Sequence, residues 1–261
     1  MTIDLHRLFA GLDSKSLDRL ATRRDTLLSG GRTTAALALS AMPLALAATV
    51  KDAFASSPLP DAVVRVLNFA LTLEYLEATF YNRGIRSGVI PGGKDLRIFR
   101  TIQDHENAHV FFLKRTLGSR AIAKPEFDFT AGGAVPDPFK DYEVFKILAQ
   151  GFEDAGVRAY KGQLRALKPY DDFLTAAATI HSVEARHASE VRRLRGQDGW
   201  IPFEDPAAPG PIKAVYEGED ELLQLTVRVG RFQDDRAGTE AFDEPLTRSE
   251  VLAIARPFIK S

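Results

Sequence analysis

The sequence contains no cysteine, two methionines and a single tryptophan among its 261 residues. Without cysteine the chain can form no disulfide, no thiolate nucleophile, no zinc–thiolate site and no iron–sulfur cluster. Any metal must therefore be held by histidine and carboxylate side chains. An excess of one charge is also lacking, because 34 Lys and Arg face 35 Asp and Glu. This balance argues against nucleic acid as a partner.

The first 58 residues resemble an export signal. Arg23-Arg24 precedes an alanine-rich apolar stretch from Ala35 to Val50, and Ala53-Phe54-Ala55 forms a small-x-small cleavage pattern. This order resembles a twin-arginine signal, with which bacteria export folded proteins. An amphipathic N-terminal helix packed on its own domain is the alternative. We expect a periplasmic or exported protein, associated with a membrane or envelope if the segment is retained.

Hydrophobic periodicity predicts four long helices in the middle of the chain. They are helix A near 61–83, helix B near 95–117, helix C from the Asp137-Pro138 start signal to about Lys168, and helix D near 171–195. The A–B and C–D links are short, whereas the B–C link can run the length of a bundle. The sequence thus predicts an all-α protein, a four-helix bundle over 59–196 with one long B–C crossover.

The remaining chain, 197–261, is predicted to be a C-terminal extension that wraps the bundle. Four prolines predict an extended path over 197–216. Alternating apolar residues from Leu225 to Val229 predict a short strand or an edge segment rather than a helix. Thr247-x-x-Glu250 is a capping box, and it predicts a last short helix.

Helices B and D carry the same residues in the same register. Thr101, Ile102, Glu106 and His109 recur at a constant offset of 78 as Thr179, Ile180, Glu184 and His187. Helices A and C show a weaker match, in which Glu74 and Tyr81 recur at an offset of 79 as Glu153 and Tyr160. We interpret the A–B and C–D pairs as copies of one helical hairpin.

The repeated acidic and histidine residues are typical of a metal site. Glu-x-x-His places a carboxylate and an imidazole one turn apart on the same helix face. Glu74 and Glu153 each interrupt an inward apolar stripe, where a bare carboxylate would be costly. Two divalent cations would neutralise four glutamates, and oxygen with imidazole ligands favours iron or manganese and permits zinc. The predicted ligands are Glu74, Glu106, His109, Glu153, Glu184 and His187.

This ligand pattern resembles that of ferritin-like di-metal carboxylate proteins. In addition, NFALTLEYLE at 68–77 and FDEPLTRSEVL at 242–252 resemble the bacterial ferritin-like family related to plant desiccation-related proteins. The similarity covers roughly 60–261. It implies a ferritin-like fold and a role in stress. It also implies that Glu106 and Glu184 bridge the metals, whereas Glu74 and Glu153 are terminal ligands.

Two kinds of neighbour are candidates for the surroundings of the ligands. Tyr81 and Tyr160 lie seven residues after the terminal glutamates. In related di-iron proteins a tyrosine at this spacing hydrogen-bonds a ligand carboxylate across the bundle, and plain core packing is the alternative. Glu77 lies one turn past Glu74 and competes with it as the helix A ligand. Its counterpart in the repeat is Gly156, which favours Glu74.

Two further histidines lie near the predicted site. His181 precedes Glu184 by three residues, but Gln103 occupies the equivalent place in helix B. We therefore expect His181 beside the site or in solvent rather than as a ligand. His105 stands where some relatives carry an acidic residue. That change leaves the hydrogen-bond partner of a ligand histidine unassigned.

Together these features predict an exported di-metal protein that reacts with dioxygen or peroxide in oxidative or desiccation stress. Ferroxidase-like and catalase-like turnover both follow from such a site. The alternative is a non-enzymatic structural or interaction protein that uses the same bundle, with or without metal. A homo-oligomer is compatible with either function.

Overall fold

The computed structural model describes residues 59–205, 209–231 and 233–260, so the predicted export signal lies outside the described residues. Four long helices carry most of the described chain: α1 (Asp61–Ser87), α2 (Lys94–Leu117), α3 (Tyr142–Leu167) and α4 (Asp171–Leu194). They correspond to the predicted helices A to D. Helix α1 packs along α2, α3 packs along α4, and α1 also contacts α3. The all-α bundle with a long crossover between its second and third helices is confirmed.

The start of α3 differs from the prediction. Asp137-Pro138 was the predicted start, but the Asp137 carboxylate accepts a hydrogen bond from the backbone N–H of Phe139 within a turn. Asp141 caps the helix instead, because its side chain accepts from the N–H groups of Glu143 and Val144. A helix begins where its first free N–H groups find an acceptor, and here that acceptor lies four residues later.

Aromatic side chains fill one end of the bundle. The ring of Phe80 stacks on that of Phe145 with centroids 4.5 Å apart, and Phe99 meets Phe145 edge-on at 5.0 Å. Gly84 permits this packing, because a Cβ atom there would overlap the Phe145 ring. The crossover covers the same end, where the ring centroid of Phe129 lies 5.2 Å from that of Phe80. This end of the core is closely packed.

The chain after α4 is more structured than an extended wrap. Its described elements include a 3₁₀ helix (Gly210–Tyr216), a hairpin of β1 (Leu223–Gln224) and β2 (Val227–Arg228), α5 (Asp235–Glu240) and α6 (Arg248–Ala255). The extended path predicted over 197–216 is wrong at the 3₁₀ helix, because Ile212, Val215 and Tyr216 recur at helical spacing and are buried. The capping box that opens α6 is confirmed.

The predicted strand from Leu225 to Val229 is confirmed only in part. Val227 lies in β2, whereas Leu225 adopts a positive φ of 57° in the turn between the strands, and Val229 begins a 3₁₀ turn.

No helix in the described part of the chain is both long and apolar enough to cross a bilayer.

Candidate metal centre

All six predicted ligand residues lie in the middle of the bundle, and none is more than 5% exposed. Their donor atoms form two groups of four, within each of which every pair of donor atoms lies at most 4.8 Å apart. The first group is Glu74, Glu106, His109 and Glu184. The second group is Glu106, Glu153, Glu184 and His187. Glu106 and Glu184 belong to both groups. Binding of metal by the six residues stays a prediction.

Each histidine faces several carboxylates through the same ring nitrogen. The Nδ1 atom of His109 lies 3.1 Å from a carboxylate oxygen of Glu74, 3.1 Å from one of Glu106 and 3.2 Å from one of Glu184. The Nδ1 atom of His187 lies 2.9 Å from Glu106 and 3.1 Å from Glu153. One N–H cannot donate to three acceptors, so this convergence is typical of donor atoms arranged around a cation.

Several carboxylate oxygens of the cluster lack a hydrogen bond. Oε1 of Glu106 and both oxygens of Glu184 are buried and accept no well-aligned hydrogen bond from any described residue, although Nδ1 of His187 lies 2.9 Å from Oε1 of Glu106 and Nδ1 of His109 lies 3.2 Å from Oε1 of Glu184. Buried polar atoms are nearly always satisfied, and a buried carboxylate without a partner is costly. Both residues belong to both groups of four. The donor set therefore fits two divalent cations, each of which would satisfy the free oxygens.

The titration behaviour of the cluster shows how strongly it requires positive charge. Burial alone would lower the pKa of His109 and of His187, but the surrounding carboxylates outweigh burial and raise both pKa values well above normal. Burial raises the pKa of Glu74 to about 7 and the pKa of Glu184 well above its usual range. Burial would also raise the pKa of Glu106, but the two imidazoles hold it below normal. Protons would therefore compete with any metal ion for these atoms.

Each tyrosine of the repeat hydrogen-bonds the terminal glutamate of the other copy. The Tyr81 hydroxyl donates to Oε1 of Glu153, and the Tyr160 hydroxyl donates to Oε1 of Glu74. The second oxygen of each glutamate faces a histidine at 3.1 Å. One oxygen of each terminal glutamate is thus fixed by a tyrosine, and the other is directed at the cluster.

Glu77 and Gly156 occupy equivalent positions and pack against each other. A Cβ atom on Gly156 would lie 3.2 Å from Oε1 of Glu77 and 3.3 Å from Oε2 of Glu184. The absence of a side chain at 156 thus provides the space in which Glu77 is buried. Burial and the neighbouring carboxylates raise the pKa of Glu77 well above normal. Glu77 belongs to neither group of four among the described residues.

The two remaining histidines play different structural parts. Nδ1 of His181 lies 3.0 Å from the backbone carbonyl of Val157 in α3, so its ring hydrogen-bonds the backbone rather than the cluster. Nδ1 of His105 lies 2.9 Å from Nε2 of His187. Burial, reinforced by His187, lowers the pKa of His105 to about 4, so the neutral ring accepts the Nε2–H of His187. That hydrogen bond leaves Nδ1 of His187 free to act as a ligand.

Sequence reasoning left the partner of the ligand histidine unassigned, and His105 is that partner for His187. The repeat contained no signal for it, because the equivalent residue in α4 is Val183. Only the packing of α2 beside α4 brings the two rings together.

The four-helix bundle is the part of the chain that matches a known protein family. A family model described as a ferritin-like domain matches residues 62–197, which is just over half of the chain and includes nearly all of α1 to α4. No curated protein matches the chain. The narrower resemblance to desiccation-related proteins stays a prediction.

Proposed function

This chain belongs to the ferritin-like domain family, and on that premise we propose that its buried cluster binds two iron or manganese ions and reacts with dioxygen or peroxide. The observation that carries the proposal is the overlap of the two groups of four, which share Glu106 and Glu184. That overlap supports two ion positions, with Glu106 and Glu184 as the carboxylates that would be shared between them. The charge of four glutamates matches that of two divalent ions.

The roles of the six residues follow from their grouping. Glu74 and His109 would hold one ion, and Glu153 and His187 the other. When bound, a pair of iron or manganese ions supplies the electrons and open coordination positions needed to reduce an oxygen species. The protein keeps the ligands buried and aligned, and the two tyrosines restrain the terminal carboxylates against rotation.

Elemental analysis of the full chain tests this function. We expect two iron or manganese ions per chain in the wild type, and loss of both in Glu106→Ala, because that side chain belongs to both groups. Asp104→Ala is the matched control, since Asp104 is exposed on the same helix. X-ray absorption at the iron and manganese edges identifies the metal, and zinc alone would contradict a redox role.

Turnover is the second part of the test. Protein loaded with iron or manganese should consume dioxygen or peroxide, and Glu106→Ala should not. A metal-loaded wild type without turnover would contradict the reaction. A wild type that binds no metal would instead favour a structural or interaction protein built on the same bundle.

Export and a stress role are also part of the proposal. They depend on Arg23-Arg24, on the cleavage pattern Ala53-Phe54-Ala55 and on the narrower family resemblance. Fractionation of cells that make the full chain, with mass analysis of the product, tests export. Arg23→Lys together with Arg24→Lys should retain the protein in the cytoplasm, and unchanged export of this variant would contradict a twin-arginine route.

A further inference from the structure

The two copies of the repeat differ in the size of the side chains that they place beside the cluster. On the side of Tyr81 the core contains Phe80, Phe99 and Phe145, which pack against one another. By the same offsets that relate the ligands, their counterparts on the side of Tyr160 are Ala159, Ala177 and Val66. Three large rings on one side thus correspond to two methyl groups and an isopropyl group on the other.

A cavity of about 20 Å³ lies where these rings are missing. Its wall includes Val66, Ala159, Ala177 and the ring of Tyr160, with further aliphatic and aromatic side chains from all four bundle helices. A cavity needs roughly 10–15 Å³ to hold one water molecule, so this one has room for a diatomic molecule. Gln163, which is partly buried, also lines the cavity, and its counterpart on the closely packed side of the repeat is Gly84.

The cavity adjoins the cluster. Tyr160 forms part of its wall and donates its hydroxyl hydrogen bond to Glu74. Leu73 also lines the cavity and directly precedes that ligand, and Ile180 lines it one turn before Glu184. The side chain of Tyr160 therefore joins the wall of the cavity to a carboxylate of the cluster.

The chemistry of the wall selects what can occupy the cavity. Its lining is almost entirely hydrocarbon, and the Tyr160 hydroxyl already donates to Glu74. Water or hydrogen peroxide would lose hydrogen bonds there, whereas an apolar gas molecule would lose none. Small cavities lined by apolar side chains stay dry and bind apolar gases.

We propose that this cavity binds dioxygen and supplies it to the cluster, so that dioxygen rather than peroxide is the oxidant admitted on this side. The supply role rests on the proposed function, but gas binding does not. On the other side of the cluster the rings of Phe80, Phe99 and Phe145 stand at the equivalent positions and pack against one another.

Xenon is the probe for the cavity, since it is apolar and easily located. In crystals of the full chain under xenon pressure, we expect a xenon atom between Ala159, Ala177 and Tyr160. Ala177→Val should reduce its occupancy several-fold by filling the space with two methyl groups. Ala178→Val is the matched control, because it makes the same change one residue later on the exposed face. A wild type without xenon at this place would overturn the proposal.

The rate of oxidation tests the supply role. In the metal-loaded, reduced protein we expect Ala177→Val to slow the reaction with dioxygen several-fold while the reaction with hydrogen peroxide keeps its wild-type rate. Ala178→Val should leave both rates unchanged. Equal slowing with both oxidants, or no slowing when xenon is lost, would overturn the supply role.

Failure of this proposal is distinguishable from failure of the proposed function. Bound xenon in a protein that takes up no metal would uphold gas binding and refute the di-metal function. Two bound metal ions in a protein without xenon in the cavity would uphold the di-metal function and refute gas binding.

Discussion

The α1–α2 and α3–α4 hairpins contribute equivalent candidate ligands to the cluster but surround them with different side chains. Each hairpin contributes a terminal glutamate, a Glu-x-x-His pair and a tyrosine at matching positions. Around them the copies differ, because His105 corresponds to Val183 and Phe80 to Ala159. The difference teaches that equivalent candidate ligands can lie in unlike surroundings, so two ions bound here would not be equivalent.

The outer faces of the hairpins differ as well. Asp154, Arg158 and Arg192 of the second hairpin are buried, and their counterparts in the first are Tyr75, Thr79 and Lys114. Nε of Arg158 lies 2.6 Å from Glu219, and the Arg158 guanidinium also donates to backbone carbonyls of the chain after α4. Buried ion pairs thus fix the C-terminal segment to the α3–α4 hairpin.

Arg158→Thr removes this difference, because it introduces the residue that the first hairpin has at the equivalent position, Thr79. It leaves Glu219 buried without its cation. Burial raises the pKa of this carboxyl to about 8, so above that pH, where Glu219 is ionised, we expect the free energy of unfolding to fall by about 3–5 kcal/mol. Chemical denaturation of the full chain measures the loss. Adding Glu219→Gln should recover part of it, because the unpaired charge is then removed.

Arg236→Thr is the control for the Arg158 experiment. Arg236 is 53% exposed and pairs with Glu240 at 2.7 Å and with Asp198 at 3.3 Å, so its removal should cost about 1 kcal/mol. Equal losses in the two variants would show that burial does not govern the anchoring.

His105→Val removes the asymmetry beside the histidines. Without its acceptor, the ring of His187 loses its fixed orientation, and we expect the ion held by His187 to bind about 10–100-fold more weakly. Metal titration should become biphasic, because the ion beside His109 keeps its affinity. Val183→His changes the equivalent place and should not weaken the ion at His187. A single-phase titration of His105→Val would contradict the asymmetry.

Metal uptake should depend on pH in both halves of the site. The carboxylates raise the pKa of His109 and of His187, and burial raises that of Glu74 to about 7. Because raised pKa values keep these groups protonated in the metal-free protein, metal binding must displace protons, and apparent affinity falls as pH falls. We expect about a tenfold change per pH unit for each proton displaced.

Calorimetry measures this proton release. Titration in two buffers of different ionisation enthalpy should give different heats, and their difference counts the protons displaced per ion. Equal heats in both buffers would contradict the coupling of protons and metal in the cluster.

Asp141→Ala should have the smallest effect. Asp141 caps α3, whereas α1 follows Pro60 without a side-chain cap. Loss of the cap should cost about 1 kcal/mol and lower Tm by roughly 2–4 °C for a domain of this size. Asp141→Asn keeps an acceptor and should retain most of the stability. Equal destabilisation by Asn and Ala would mean that the cap is not responsible.

The sequence was informative wherever the repeat placed chemistry at a fixed offset. The four-helix bundle and the grouping of Glu106 with His109 follow from helical periodicity and the register of the copies. Contacts between distant segments carry no such signal. The pairing of Arg158 with Glu219 joins residues 61 positions apart, and His105 meets His187 only through the packing of α2 beside α4.

Helix starts were also only partly predictable. Asp137 and Asp141 are both acceptable caps by composition, and the choice between them depends on the turn made by the intervening residues. Similarly, the prolines of the C-terminal segment indicated an extended path. The burial of Val215 and Tyr216 against the bundle overrode that preference.

Each group of four donors takes three side chains from one hairpin and one from the other. Neither hairpin can therefore complete an ion position by itself. Cations bound here would join the two halves of the bundle, so the affinity for metal would also be a force of assembly. Release of the ions would weaken the contact between the two hairpins before it disturbed the structure of either hairpin.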